Sequence, residues 1–147
     1  MEWIRVETDE QLREAFAVRV EVFVKEQGVP SEIELDEYDE SPSACRHYIV
    51  ESGGATIAAG RYRTYEPGIA KLQRIAVLKQ FRGAGVGSFL LRAMEDEAKE
   101  EGYYVAILDA QCSAEAFYRR LGYENVSSET FLDAGIPHVR MRKNLKS

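Results

Sequence analysis

Gln80-Phe81-Arg82-Gly83-Ala84-Gly85-Val86-Gly87-Ser88 is the stretch on which the reading of this chain turns. It follows a strand-like run, Ile69 to Leu78, and opens a helical pattern that starts at Gly85 and stops at Gly102. Small residues let the backbone turn tightly and leave several N–H groups facing one point. A helix N-terminus adds unpaired donors and partial positive charge, so the segment suits a pyrophosphate. Arg82 can add a charge-assisted contact.

Two familiar phosphate loops fit badly. A Walker loop requires Gly-x-x-x-x-Gly-Lys-Ser/Thr, and no Lys stands in the required place. A dinucleotide fingerprint requires Gly-x-Gly-x-x-Gly. Its third glycine would fall on Ser88 counted from Gly83, or on Leu90 counted from Gly85.

Outward from the loop, Val86, Leu90, Ala93, Met94 and Ala98 share one helical face. Tyr103 to Ala110 reads as a strand buried on both faces. Strand, helix and strand in this order form a right-handed crossover with parallel strands. Upstream, Trp3 to Val6 reads as a short strand. Thr8-Asp9-Glu10-Gln11 is a capping box before a helix carrying Leu12, Phe16, Val20 and Phe23, closed by Gly28 and Pro30. Arg46 to Glu51 and Ala55 to Tyr65 flank a Ser52-Gly53-Gly54 hairpin. Ser31 to Pro42 is an acidic loop or short helix. Downstream, Ser113 is the expected N-cap of a helix over Ala114 to Leu121, and His138 to Asn144 a last strand. The fold class is therefore α/β: a mixed, largely antiparallel sheet with a central parallel strand-helix-strand unit and helices on both faces.

Gln80-Phe81-Arg82-Gly83-Ala84-Gly85 also matches Gln/Arg-x-x-Gly-x-Gly/Ala, and here the chain resembles the GNAT superfamily of acyl-CoA N-acyltransferases. Leu72-Gln73-Arg74-Ile75-Ala76-Val77 looks like that family's central strand. Gln111-x-x-Ala114-x-x-Phe117-Tyr118-x-x-Leu121-Gly122-Tyr123 is similar to its second cofactor motif, with Gln111 where Asn is usual. Val22 to Pro30 and Asp133 to His138 resemble a subgroup of small bacterial members, in which they flank the acceptor side.

The resemblance implies acetyl-CoA as co-substrate, without a metal. It implies pyrophosphate on the N–H groups of Arg82, Gly83, Ala84, Gly85, Val86, Gly87 and Ser88. The pantetheine arm would lie along Ile75, Ala76 and Val77, between splayed strands, with Gln111 hydrogen-bonded to it. Val77 N–H would polarise the thioester carbonyl, and Tyr118 would meet the departing thiolate. Some members carry a Glu base on the central strand. Lys71-Leu72-Gln73-Arg74 has none there, which leaves Glu26, Glu34, Asp36, Asp39, His47 and His138 as candidates, Glu26 and His138 foremost.

Bulk properties bound the rest. The chain has 147 residues, suiting one N-acetyltransferase domain over 1–147, and its net charge of -6 argues against nucleic acid or an anionic membrane as partner. Glu32, Glu34, Asp36, Glu37, Asp39 and Glu40 would draw a small cationic amine as acceptor. Cys45 and Cys112 make no disulfide framework, and with His47 and His138 match no zinc spacing. The opening residues lack a signal-peptide pattern, so a cytoplasmic location is expected, with a homodimer allowed for. A non-catalytic acyl-CoA sensor or interaction module is the alternative function.

Overall fold

The computed structural model describes residues 1–146, and the chain divides into two compact units. The first comprises Met1–Arg63 and Arg74–Met94, the second Thr64–Gln73 and the residues from Glu95 onward. Strands β3 (Ala55–Glu66) and β4 (Ile69–Val77) and helix α3 (Val86–Glu100) contribute residues to both.

In the first unit β1 (Glu2–Arg5) pairs antiparallel with β2 (Arg46–Ser52), and β2 pairs antiparallel with β3. Helix α1 (Asp9–Arg19) starts at the expected capping box: Thr8 Oγ1 accepts from Gln11 N–H at 3.1 Å, and Gln11 Oε1 accepts from Thr8 N–H at 3.2 Å. The helix then widens into a π-helical stretch, Val20–Glu26, before Gly28 turns the chain at φ +75°. Leu12, Ala15, Val18 and Val22 pack with Val6, Ile49, Ala59 and Ala76.

Ile49 lies opposite Ala59 in the ladder, so α1 covers their face of the β2–β3 pair. The next residues, Tyr48 and Gly60, face the other way. There a Cβ on Gly60 would come within 2.8 Å of Met94 Sδ on α3. A side chain at Gly60 would have to displace Met94, and the unit carries helices on both faces, as expected.

In the second unit β4 pairs parallel with β5 (Val105–Gln111) from Ile69↔Val105 to Leu72↔Leu108. β5 pairs antiparallel with β8 (Ile136–Asn144) along its whole length, from Val105↔Asn144 to Gln111↔His138. Two short strands, β6 (Glu124–Asn125) and β7 (Phe131–Asp133), also pair with β8. Val105, Ala106, Ile107, Leu108 and Ala110 are buried, as the apolar run predicts.

The structure departs from sequence expectation at several local points. β5 begins at Val105 rather than Tyr103, since Tyr104 is exposed and its N–H bonds Gly68 O. Ser113 does not cap a helix. It lies in a 3₁₀ turn, Cys112–Ala114, and α4 (Glu115–Arg120) starts from Ala114 with no side-chain cap. The acidic segment folds as α2 (Ser31–Glu34) and a 3₁₀ turn, Glu37–Asp39, capped by Asp36. Among the described residues no helix is long and apolar enough to cross a membrane.

Candidate functional site

The glycine loop of the first unit is open and turns through left-handed backbone. Gly83 and Gly85 hold φ of +83° and +79°, a region that side chains other than glycine's enter only at a cost of about 1–2 kcal/mol. No atom lies within 4 Å of a Cβ built on either, so the loop surface is open. The first helical bond of α3 runs from Phe89 N–H to Gly85 O. Among the described residues, no backbone acceptor takes the N–H groups of Gly83 to Ser88. Arg82 differs, because its N–H already donates to Lys79 O at 3.3 Å.

The Arg82 side chain is held from two directions. Nε donates to Val77 O at 3.0 Å, and Nη1 and Nη2 donate to the Glu26 carboxylate at 2.6 and 2.7 Å. Five N–H bonds are available on a guanidinium and three are used, so two remain for a phosphate. Glu26 is changed more: the hydrogen bonds from Arg82 hold its carboxyl below the usual range. Glu26 is thus engaged by Arg82 in this structure.

The other acidic candidates are engaged in structure. Arg19, 1% exposed, donates from Nε to Glu34 at 2.8 Å and from Nη1 and Nη2 to Asp39 at 2.7 and 2.8 Å. Arg61, equally buried, donates to Asp36 at 2.7 and 2.8 Å and to Asp39 at 2.8 Å. Arg74 joins them from the far half of β4, where its backbone turns left-handed at φ +55°, and its Nε reaches Glu34 O at 3.1 Å. Three arginines thus face Glu34, Asp36 and Asp39, and the charges cancel.

Burial raises the pKa of such carboxyls, yet the arginines outweigh it, and Asp36 and Asp39 are held low. His47 lies among them with Nε2 at 2.8 Å from Tyr38 O, and burial keeps it neutral. Each of these groups has an internal partner. The acidic run is a docking segment for internal arginines, and only Glu32, Glu37 and Glu40 of its carboxylates are exposed. The field expected to draw a cationic amine is therefore much reduced.

The second unit holds Gln111, Tyr118 and His138. Gln111 and His138 are directly opposed across β5 and β8 and so share one face. His138 is 8% exposed, its ring stacked on Phe131 at 6.0 Å between centroids. Its Nδ1 lies 2.6 Å from Ile136 O. A carbonyl only accepts, so Nδ1 carries the hydrogen and Nε2 of the neutral ring keeps its lone pair.

Tyr118 packs edge-on against Phe117 and Tyr123, at 5.0 and 5.9 Å, and burial pushes its hydroxyl up to about 12. Among the described residues that hydroxyl has no hydrogen-bond partner. Cys112 is a half-buried free thiol, and Cys45 is buried, donating to Tyr62 O at 3.0 Å. Among the described residues no group of three or more His, Cys, Asp or Glu side chains is placed to hold a metal ion.

Sequence reasoning passed over one cluster in this unit. Asp109 of β5 binds Arg140 of β8 and Lys71 of β4. The signal was a carboxylate within a strand apolar from Val105 to Leu108.

Comparison with known proteins extends this description. The family model described as an acetyltransferase (GNAT) domain matches residues 6–145. The Bacillus subtilis protein called uncharacterized N-acetyltransferase YjcF is 45% identical over 144 residues, covering 98% of this chain and 100% of its own. A crystal structure of a Lactobacillus plantarum protein superposes with a TM-score of 0.90 at 25% identity, covering 99% of this chain and 98% of that one. That of an acyl-CoA N-acyltransferase from Pseudomonas aeruginosa gives 0.82 at 27% identity, over 97% and 99%.

Proposed function

Because this chain belongs to the GNAT acetyltransferase family, we propose that it moves an acetyl group from acetyl-CoA to a primary amine by direct attack on the thioester. The acceptor is an amine of a small molecule or peptide. The observation that carries the reading is the open loop from Gly83 to Ser88, with its unclaimed N–H groups at the start of α3. Those donors take the pyrophosphate of coenzyme A, helped by the two spare N–H bonds of Arg82. Ile75, Ala76 and Val77 present backbone to the pantetheine arm, with Gln111 as a side-chain partner.

The chemistry then divides among three groups. Val77 N–H polarises the thioester carbonyl, a contribution of about 3 kcal/mol for an oxyanion donor. The amine nitrogen attacks that carbon, the C–S bond breaks, and the thiolate leaves toward the Tyr118 hydroxyl. With Tyr118 near 12 and a thiol near 8.5, full proton transfer is uphill by about 5 kcal/mol, so the hydroxyl donates a hydrogen bond instead. His138 Nε2 takes the proton from the ammonium nitrogen, since its lone pair is fixed by the Nδ1–H bond to Ile136.

The reading takes the chain as a single N-acetyltransferase domain, and the two free thiols suit a reducing, cytosolic setting. Substitution in the loop tests the reading. Gly85→Glu adds bulk and negative charge where the phosphates approach, and should weaken acetyl-CoA binding by more than about tenfold. Calorimetric titration measures this, with circular dichroism and the melting temperature reporting any backbone strain. Unchanged affinity in a natively folded variant would refute the loop assignment.

A further inference from the structure

On one face of the second unit, Lys71, Asp109, Arg140 and Tyr65 form a cluster with more positive charge than negative. Arg140 Nε and Nη2 donate to Asp109 Oδ1 and Oδ2 at 2.8 and 3.1 Å, and its Nη1 donates to Tyr65 Oη at 3.1 Å. Lys71 Nζ lies 3.3 Å from the same Asp109 Oδ2. Both cations sit over the Tyr65 ring, at 5.1 Å for Arg140 and 5.8 Å for Lys71. The side chains of Lys71, Asp109 and Arg140 are only 16%, 15% and 31% exposed.

Two cations therefore share one carboxylate. Lys71 has two N–H bonds left over and Arg140 has two, while Asp109 already accepts from three donors at its two oxygens. Glu124 stands opposite Arg142 in the β6–β8 ladder, at the next position along β8 on this face rather than at Arg140. The surplus is one positive charge, partly withdrawn from water, with donors ready for an anion.

Its place in the fold connects it to the acceptor. Arg140 is two residues from His138 on β8, and Asp109 two from Gln111 on β5, so all four project from the same face. Along a strand, two residues span about 7 Å. We infer that the amine acceptor carries an anionic group, a carboxylate or phosphate, which Lys71 and Arg140 bind while the amine lies at His138. This rests on the acetyltransferase reading for the word acceptor. It also replaces the cationic amine expected from the acidic segment by an amine with an anionic tail a few bonds away.

The test is a set of calorimetric titrations at low salt, none of which requires turnover. The probes are the ω-amino acids from glycine to 6-aminohexanoate, their matching ω-amino amides, and 2-aminoethyl phosphate. At least one anionic amine should bind about tenfold or more tightly than its neutral partner, and the phosphate arm identifies which anion is preferred. Lys71→Gln leaves the Asp109–Arg140 pair intact and should compress that preference to about twofold or less, whereas Lys71→Arg should keep it. Absence of any preference in the wild-type protein, or a preference that survives Lys71→Gln, overturns the inference. Selective binding without acetylation of the bound amine would instead overturn the acetyltransferase reading and leave the anion site standing.

Discussion

The surroundings of Tyr118 favour its neutral form, because its buried hydroxyl has neither a cation nor a hydrogen-bond donor to stabilise a phenolate. A neutral phenol is a hydrogen-bond donor, and a nascent thiolate is its natural acceptor. Tyr118→Phe should lower kcat by about 10- to 100-fold while acetyl-CoA affinity stays the same, since the lost bond forms mainly in the transition state. Steady-state kinetics with a titration of acetyl-CoA measures both, and a variant with wild-type kcat removes Tyr118 from the mechanism. The helix that carries Tyr118 was legible in the sequence. The fate of Glu26 was not, because nothing in Val22 to Pro30 indicates that Arg82, distant in sequence, will claim that carboxylate. His138 gains weight for the opposite reason: its short local bond to Ile136 leaves Nε2 unclaimed.

At the scale of elements, the segment from Ser31 to Asp39 gives the clearest account of what patterns hide. Its density of carboxylates resembles a solvated face, and three of them instead meet arginines from α1, β3 and β4. Periodicity does not reveal such pairing, because Arg19, Arg61 and Arg74 stand in three different elements. Helix α1, by contrast, was legible to its first residue from Thr8 and Gln11, whose reciprocal bonds are local. The short β6 and β7 were missed for a related reason: two and three residues show no alternation, and their partner β8 supplies the order.

The cluster predicts how stability depends on pH. Asp36 and Asp39 have folded values below the unfolded value near 3.9, so their contribution is complete above that and is lost as pH falls through the folded values. His47 is likewise lower when folded, so its share is lost as pH falls below about 6.5. Urea midpoints should therefore begin to decline below about pH 6.5 and fall faster below about pH 4. His47→Gln, which can still donate to Tyr38 O, should flatten the upper limb. Asp39→Asn should cost about 3–5 kcal/mol at neutral pH, because it leaves buried guanidinium charge uncompensated, and should soften the lower limb. A midpoint that is flat to pH 4 with His47 intact contradicts this account of the cluster.

For the whole molecule, the order of strands and helices was legible where crossover and hairpin signals were strong. The parallel β4–β5 pair followed from α3 lying between them in sequence, and the antiparallel β2–β3 pair from Gly53-Gly54. The surplus charge beside Arg140 was not, since it needs β4, β5 and β8 to lie side by side. Family membership gives the class of reaction, and the proposal assigns that reaction to the loop, Tyr118 and His138. The most direct test of that central claim is a single assay. Purified protein is incubated with acetyl-CoA and a panel of primary amines, and free thiol is measured against N-acetylated product by mass spectrometry. The account predicts thiol and N-acetyl product in one-to-one amount with at least one amine, dependent on intact protein. Tight binding of acetyl-CoA with no product from any amine would contradict it and assign the chain to acyl-CoA sensing instead.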